Sequence, residues 1–389
     1  MTAAVADLRH AALDRREVAG ALADLGVLVP IAVVLIVSNG LSATAAILPA
    51  GLLYVCAALV YRLPIPVQPL KAFGAIAIAK GLGVDVIAAG ALLMGLVFLT
   101  LSRTGALDLA ARAFPKPLVR GVQLAVGLLF LKIAWGLATE PPPAFAAAAL
   151  SPQVAVPLTA LVLASALALR SRPVTIALVA GGAAVALADA GHLSAGPSAV
   201  SLPSLDGAAL WTALTLLVLP QIPLTFANSC LATADAARTY FGDRAKHVRP
   251  GRLATTLGSA NVLAGAIGGM PVCHGAGGLT AHHSFGARTA GAPLLMGVSL
   301  LALALLAGSG LGALLAAFPL PVLAGMLAAA GVLHIRLLRD VRTPFDLSVA
   351  AVIGFTGVAT NLAMGLVLGL ALWWGRALAT RLRPVAAPG

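Results

Sequence analysis

The sequence predicts an all-α polytopic membrane protein of 14 transmembrane elements, built as a 7+7 inverted repeat that includes two half-helices. Three observations predict it. Of the 389 residues, 60% are hydrophobic and 10% charged, against roughly 25% charged in a soluble domain. Apolar segments matching the ~20 residues a bilayer core requires follow one another almost end to end. Short motifs of the first half recur in the second at a nearly constant offset.

Residues 1–18 carry both charge signs and no continuous apolar core, so they read as a cytoplasmic N-terminal segment and not as a cleavable signal. They form either a short interfacial helix with Leu8, Ala12 and Leu13 on one side or a frayed tail. Helices follow at about 20–40, 45–61, 85–102, 117–136, 154–169 and 173–190 in the first repeat. The second repeat offers about 210–232, 252–269, 290–308, 318–334, 345–359 and 362–376. Two apolar stretches, about 69–81 and 274–286, are too short to span, and each follows a helix-breaking run. Counting these as half-spans gives seven elements on each side of residue 200.

An even count puts both termini on one side, and the basic residues choose that side as cytoplasmic. Of the 25 Lys and Arg, only Lys71, Lys80 and Lys132 fall outside inner positions, whereas the outer loops 136–153, 191–209 and 309–316 contain neither Lys nor Arg. The formal charge of +12 is therefore an orientation signal, and nucleic acid is not an expected partner. The expected location is the cell membrane, with the lipid bilayer as solvent. Cys56, Cys230 and Cys273 have no CxxC spacing, which argues against a zinc site or disulfide framework.

The repeat itself is readable. FPKPLVRG at 114–121 returns as FPLPVLAG at 318–325, LLMG at 92–95 returns at 294–297, and IPVQPLKA from Ile65 is answered by MPVCHGAG from Met270. Pro30 and Asn39 of the first helix answer Pro220 and Asn228. An odd number of elements per half makes the second copy inverted, an architecture that places interrupted segments at a site near the bilayer midplane.

The interrupted segments predict an anion site. Prolines at 64, 66 and 69 force an extended run before a half-helix that opens near Pro69, and Pro271 with a glycine-rich opening does the same in the second half. Two helix starts near the membrane centre present unpaired N–H groups and positive dipole ends, and Gly275, Gly277 and Gly278 allow a ligand close to the backbone. Lys71, in the first turn, is an ionisable group at membrane depth and calls for an anionic partner. Either the substrate supplies it, or Lys71 snorkels or pairs with Asp24. Gln68 and His274 flank the two starts as donors, and Gln221, between Pro220 and Pro223, offers a further amide. Thr225 and Asn228 are supporting candidates, Asp24 an orienting or coupling group, and His282, His283 and Arg288 are expected at the cytoplasmic surface. Cys273, His274, His282 and His283 do not share one helical face and have no carboxylate nearby, so no metal or other cofactor is expected.

PIPVQPLKA (64–72), LPQIPLTFANS (219–229), MPVCHGAGGLTAHHSFGARTAG (270–291) and ADLG (23–26) resemble the signature segments of the molybdate transporter family, a branch related to the sulfate permeases. The resemblance implies the uracil-permease-like fold, with a core domain from the first four elements of each half (19–103 and 210–308) and a gate domain from the last three (114–191 and 318–376). It implies substrate contact at Gln68, Lys71, Gln221, His274, Gly275, Ala276, Gly277 and Gly278. It also implies oxyanion transport by elevator-like movement of core against gate, homodimers through the gate, and a chain without the STAS domain of typical sulfate permeases. The expected function is secondary active import of molybdate by a non-enzyme, with protons as the coupling partner; sulfate is the runner-up oxyanion. A nucleobase or organic-anion permease of the same fold is disfavoured, because glycines and Gln221 stand where those proteins use carboxylates.

Overall fold

A computed structural model describes residues 13–22, 25–105, 107, 115–168, 172–189 and 194–381. Asp24, Leu8 and Ala12 lie outside the described residues. The first repeat comprises α1 (Arg15–Ala21), α2 (Leu25–Val37), α3 (Ala43–Tyr61), the two-residue strand β1 (Gln68–Pro69), the half-helix α4 (Lys71–Ala79), α5 (Val84–Thr104), α6 (Lys116–Thr139), α7 (Pro152–Ala168) and α8 (Arg172–Asp189). The second comprises α9 (Gly207–His247), α10 (Pro250–Ala266), β2 (Val272–Cys273), the half-helix α11 (Ala276–Phe285), α12 (Gly291–Leu306), α13 (Gly308–Ala316), α14 (Leu320–Arg336), α15 (Pro344–Ala359) and α16 (Leu362–Arg381).

Two spans differ from expectation. Residues 309–316, expected as an outer loop, form α13, bent 96° from α12. The helix expected over 210–232 runs to His247, and it contains π segments at Leu214–Val218 and Thr225–Ala232 that surround Pro220 and Pro223. A proline N cannot donate and its ring crowds the preceding turn, so the helix continues by widening its hydrogen-bond step. Among the described residues, five helices are long and apolar enough to cross a membrane, six with the bent α12–α13 pair. Trp135, Trp211, Phe355 and Leu161 are each more than 60% exposed on helix surfaces, an arrangement that suits lipid and not water.

The inverted repeat is visible in the packing. β1 and β2 pair antiparallel with Gln68 opposite Cys273, the two residues that the repeated motifs make equivalent. Equivalent residues facing each other in an antiparallel pair are what a two-fold axis between them produces. The repeated glycines obey the same relation. A Cβ on Gly95 of α5 would meet Val262 N of α10 at 2.6 Å, and one on Gly297 of α12 would meet Val55 N of α3 at 2.8 Å. Likewise Gly121 of α6 abuts Ile353 of α15, and Gly325 of α14 abuts Val162 of α7. The LLMG and FPxP motifs thus recur because backbones cross closely there, as small residues permit in membranes. Two packing sets result: α3, α5, α10 and α12 pack on one another, as do α6, α14, α15, α16 and α7, while the half-helix α4 packs against α2, α6 and α9 and the half-helix α11 against α1 and α9.

The described end of the N-terminal segment, residues 13–18, is docked on the rest of the protein. Asp14 caps α1, and Glu17, 2% exposed, accepts from the backbone N–H groups of Arg288, Thr289 and Ala292 at 2.7–2.9 Å. A carboxylate on the amides at the start of α12 is favoured by its dipole.

Candidate anion site

In a membrane interior every backbone polar group needs an internal partner, so the extended crossing at the centre has to be braced. Asn261 of α10, fully buried, donates to Val272 O at 2.8 Å and accepts from Val272 N at 2.7 Å. His274 engages Pro66 O through Nδ1 and Thr256 Oγ1 through Nε2, both at 2.9 Å, with Tyr61 edge-on at 5.7 Å. Both ring nitrogens are therefore used within the protein. His274 does not line the cavity described below, because the crossing strands consume its hydrogen bonds.

The two half-helices begin on either side of this crossing. On α4, Lys71 Nζ donates to Gln68 Oε1 at 2.5 Å, and no described carboxylate pairs with Lys71. Gln221 reaches across from α9: its Oε1 accepts from Phe73 N at 2.9 Å, while its Nε2 donates to Thr225 Oγ1 at 2.8 Å. Gln221 thus caps the start of α4 from another helix, and Thr225, 1% exposed, holds that cap. On α11, no side chain caps the helix, and Gly275 is its N-cap. A Cβ there would meet Gln68 Oε1 at 2.9 Å and Asn228 Nδ2 at 3.4 Å; one on Gly277 would meet nothing within 4 Å.

A cavity of about 780 Å³ joins these starts to the exposed Leu337 and Arg339. Gln68, Lys71, Gln221, Asn228, Gly277 and Gly278 line it, whereas Gly275, Ala276, Thr225, Asn39 and His274 do not. Asn39 instead donates to Ala77 O and Leu82 O at 3.1 and 3.0 Å, closing the far end of α4, so its sequence match to Asn228 is not a spatial one. His282, expected at the surface, is fully buried, because its helix packs that face inward against α1; His283 stacks on Tyr240 at 4.3 Å. Arg288 is exposed, as expected.

Three lining residues were not legible in the sequence. Ser229, in a π segment of α9, is 1% exposed, and its hydroxyl has no partner among the described residues. Gln123 on α6 and His334 on α14 come from the other packing set. Only the π offset could have pointed to Ser229, and nothing local marks the other two. The described lining carries Lys71, Arg336 and Arg339 and not one carboxylate, a donor-rich, positive hollow fitted to an anion.

Crossed half-helices at the centre of an inverted repeat, with a positive cavity at their starts, define a membrane anion transporter fold. The fold comparisons agree. The transmembrane domain of a cyanobacterial bicarbonate transporter, BicA, superposes with a TM-score of 0.63 at 17% identity, over 92% of this chain and 96% of that one. Murine Slc26a9, an anion transporter in the inward-facing state, gives 0.67 at 15% identity over 97% and 71%. The chain belongs to the molybdate transporter family described as "of MFS superfamily", whose profile matches residues 16–130 and 213–333. Molybdate transporter 1 of Arabidopsis thaliana is 28% identical over 95% of this chain and 91% of its own length, and Molybdate transporter 2 of that plant is 27% identical over 90% and 85%. The protein is thus a transporter and not an enzyme.

Proposed function

We propose that this chain imports molybdate by secondary active transport, its core set carrying the anion past a fixed gate set. The observation that carries the reading is the meeting of Lys71 and two half-helix starts in one cavity whose described lining holds no carboxylate. A tetrahedral dianion supplies the missing negative charge, accepting from Lys71, from the amides at the start of α11 beside Gly277 and Gly278, and from Ser229; Gln68 and Asn228 orient it. The core is 19–103 with 210–308 and the gate 114–191 with 318–376, a division supported by the packing of α3, α5, α10 and α12 on one another and of α6, α7, α14, α15 and α16 on one another. Arg336 and Arg339 at the cavity mouth support a cytoplasmic opening and cytoplasmic termini in the cell membrane.

Moving a dianion inward against a negative-inside potential costs roughly 2.3 kcal/mol per charge per 100 mV, so uptake is coupled to protons. Sulfate is the second reading, since it presents the same four oxygens in a smaller ion. The test is molybdate uptake into proteoliposomes, with tungstate, sulfate and phosphate as competitors. Saturable uptake, accelerated by an inward proton gradient and displaced best by tungstate, is expected. Absence of saturable uptake overturns the reading, and preference for sulfate replaces its substrate.

A further inference from the structure

Gln123 stands on the wall of the cavity that belongs to the other packing set. Its helix, α6, packs against both α4 and the Gln221 turn of α9, and Gln123 lines the same cavity as Gln68 and Lys71 while only 5% exposed. Elementary chemistry fixes its orientation. Arg120 Nη1 lies 2.8 Å from one arm of the carboxamide, and a guanidinium can only donate, so that arm is the oxygen. The amide NH2 is therefore the arm turned away from Arg120.

Arg120 is itself clamped. Its Nε and Nη2 donate to Asp340 Oδ1 and Oδ2 at 2.8 and 2.5 Å, and Lys116 Nζ lies 2.9 Å from the same carboxylate. A bidentate pair of this kind holds the guanidinium plane, and the plane in turn holds the amide of Gln123.

We propose that Gln123 is a specificity-determining contact for the transported oxyanion on the wall facing the half-helices, with Arg120 and Asp340 as the pair that positions its amide. The inference rests on the transport reading above. An anion held between Lys71 and Gln123 touches both packing sets, and a donor on each side favours an ion that presents acceptors in every direction. Molybdate and sulfate do so; hydrogen phosphate carries a hydroxyl that finds a donor where it needs an acceptor.

The experiment uses the full chain in proteoliposomes with molybdate as probe. Gln123→Glu keeps the side-chain size and gives Arg120 a carboxylate partner, so its melting midpoint should equal or exceed that of the unaltered protein while its molybdate KM rises more than tenfold. Gln123→Ala should raise KM roughly tenfold, the worth of one hydrogen bond to a charged group. Arg120→Gln should raise KM in the unaltered background and add nothing in the Gln123→Ala background. Unchanged KM in both Gln123 variants overturns the inference, as does an additive effect of Arg120→Gln. If the unaltered protein shows no saturable uptake, the transport reading itself fails; if it transports and the Gln123 variants match it, only this inference fails.

Discussion

The two half-helices begin across one short strand pair, yet they bring opposite chemistry to it. The first presents a charge: Lys71 in its first turn, tied to Gln68, with its third amide capped by Gln221. The second presents bare backbone, its start uncapped by any side chain and open at Gly277. The two equivalent elements thus differ in what they present, one a charged side chain and the other an open run of backbone amides. The polar bracing is one-sided, since Asn261 and His274 both come from the second half, Asn261 holding β2 and His274 the extended run at Pro66 in the first half. Symmetry of the backbone does not impose symmetry of the side chains.

That division can be broken in four places. Removing the charge should cost most: Lys71→Ala should lower molybdate kcat/KM about a hundredfold, with Lys71→Arg recovering part of it, measured as initial uptake rates in proteoliposomes. If Lys71→Ala matched the unaltered protein, the charged half would have no part in binding. Next comes the brace, where Asn261→Ala strands the N–H and C=O of Val272 in an apolar interior. Unfolding in detergent should show a loss of about 3 kcal/mol.

His274→Ala should cost about 2 kcal/mol of stability for two lost hydrogen bonds while leaving molybdate KM within about twofold. A tenfold KM effect with an unchanged melting midpoint would return His274 to the binding site. The smallest effect is expected on the bare half. A Cβ at Gly275 lies 2.9 Å from Gln68 Oε1, and that terminal atom can tilt aside, so Gly275→Ala should raise KM about threefold. The Lys71→Ala background should absorb this effect, because the displaced amide no longer has a lysine to hold.

Much of this was legible in the sequence because membranes leave few options. Apolar length, proline position and basic-residue asymmetry each answer to a single physical constraint, and so the spans, the two breaks and the repeat could be read directly. Gln68, Lys71, Gln221 and the glycines at 277 and 278 line the cavity and stand beside the breaks, which is what makes them legible as candidates. The errors share a cause too. His274 and Asn39 are polar residues in apolar segments, and such residues serve either a ligand or an orphaned backbone group. Which of the two they serve depends on a strand or helix end roughly 40 to 200 residues away in the chain. Glu17 was passed over for the same reason: its partners are amides some 270 residues further along.

The sequence by itself determined that this chain lies in a membrane, folds as an inverted repeat and opens two helices near its centre, because those properties follow from composition and local backbone chemistry. Only the tertiary structure decided which polar side chains brace the crossing and which face the cavity. It alone brought Ser229, His334 and Gln123 to the wall and set the Gln123 amide oxygen on Arg120, with its NH2 turned away. Hydrogen bonds between distant segments leave no trace in spacing, and they are what separates a residue that holds the site from one that meets the ion.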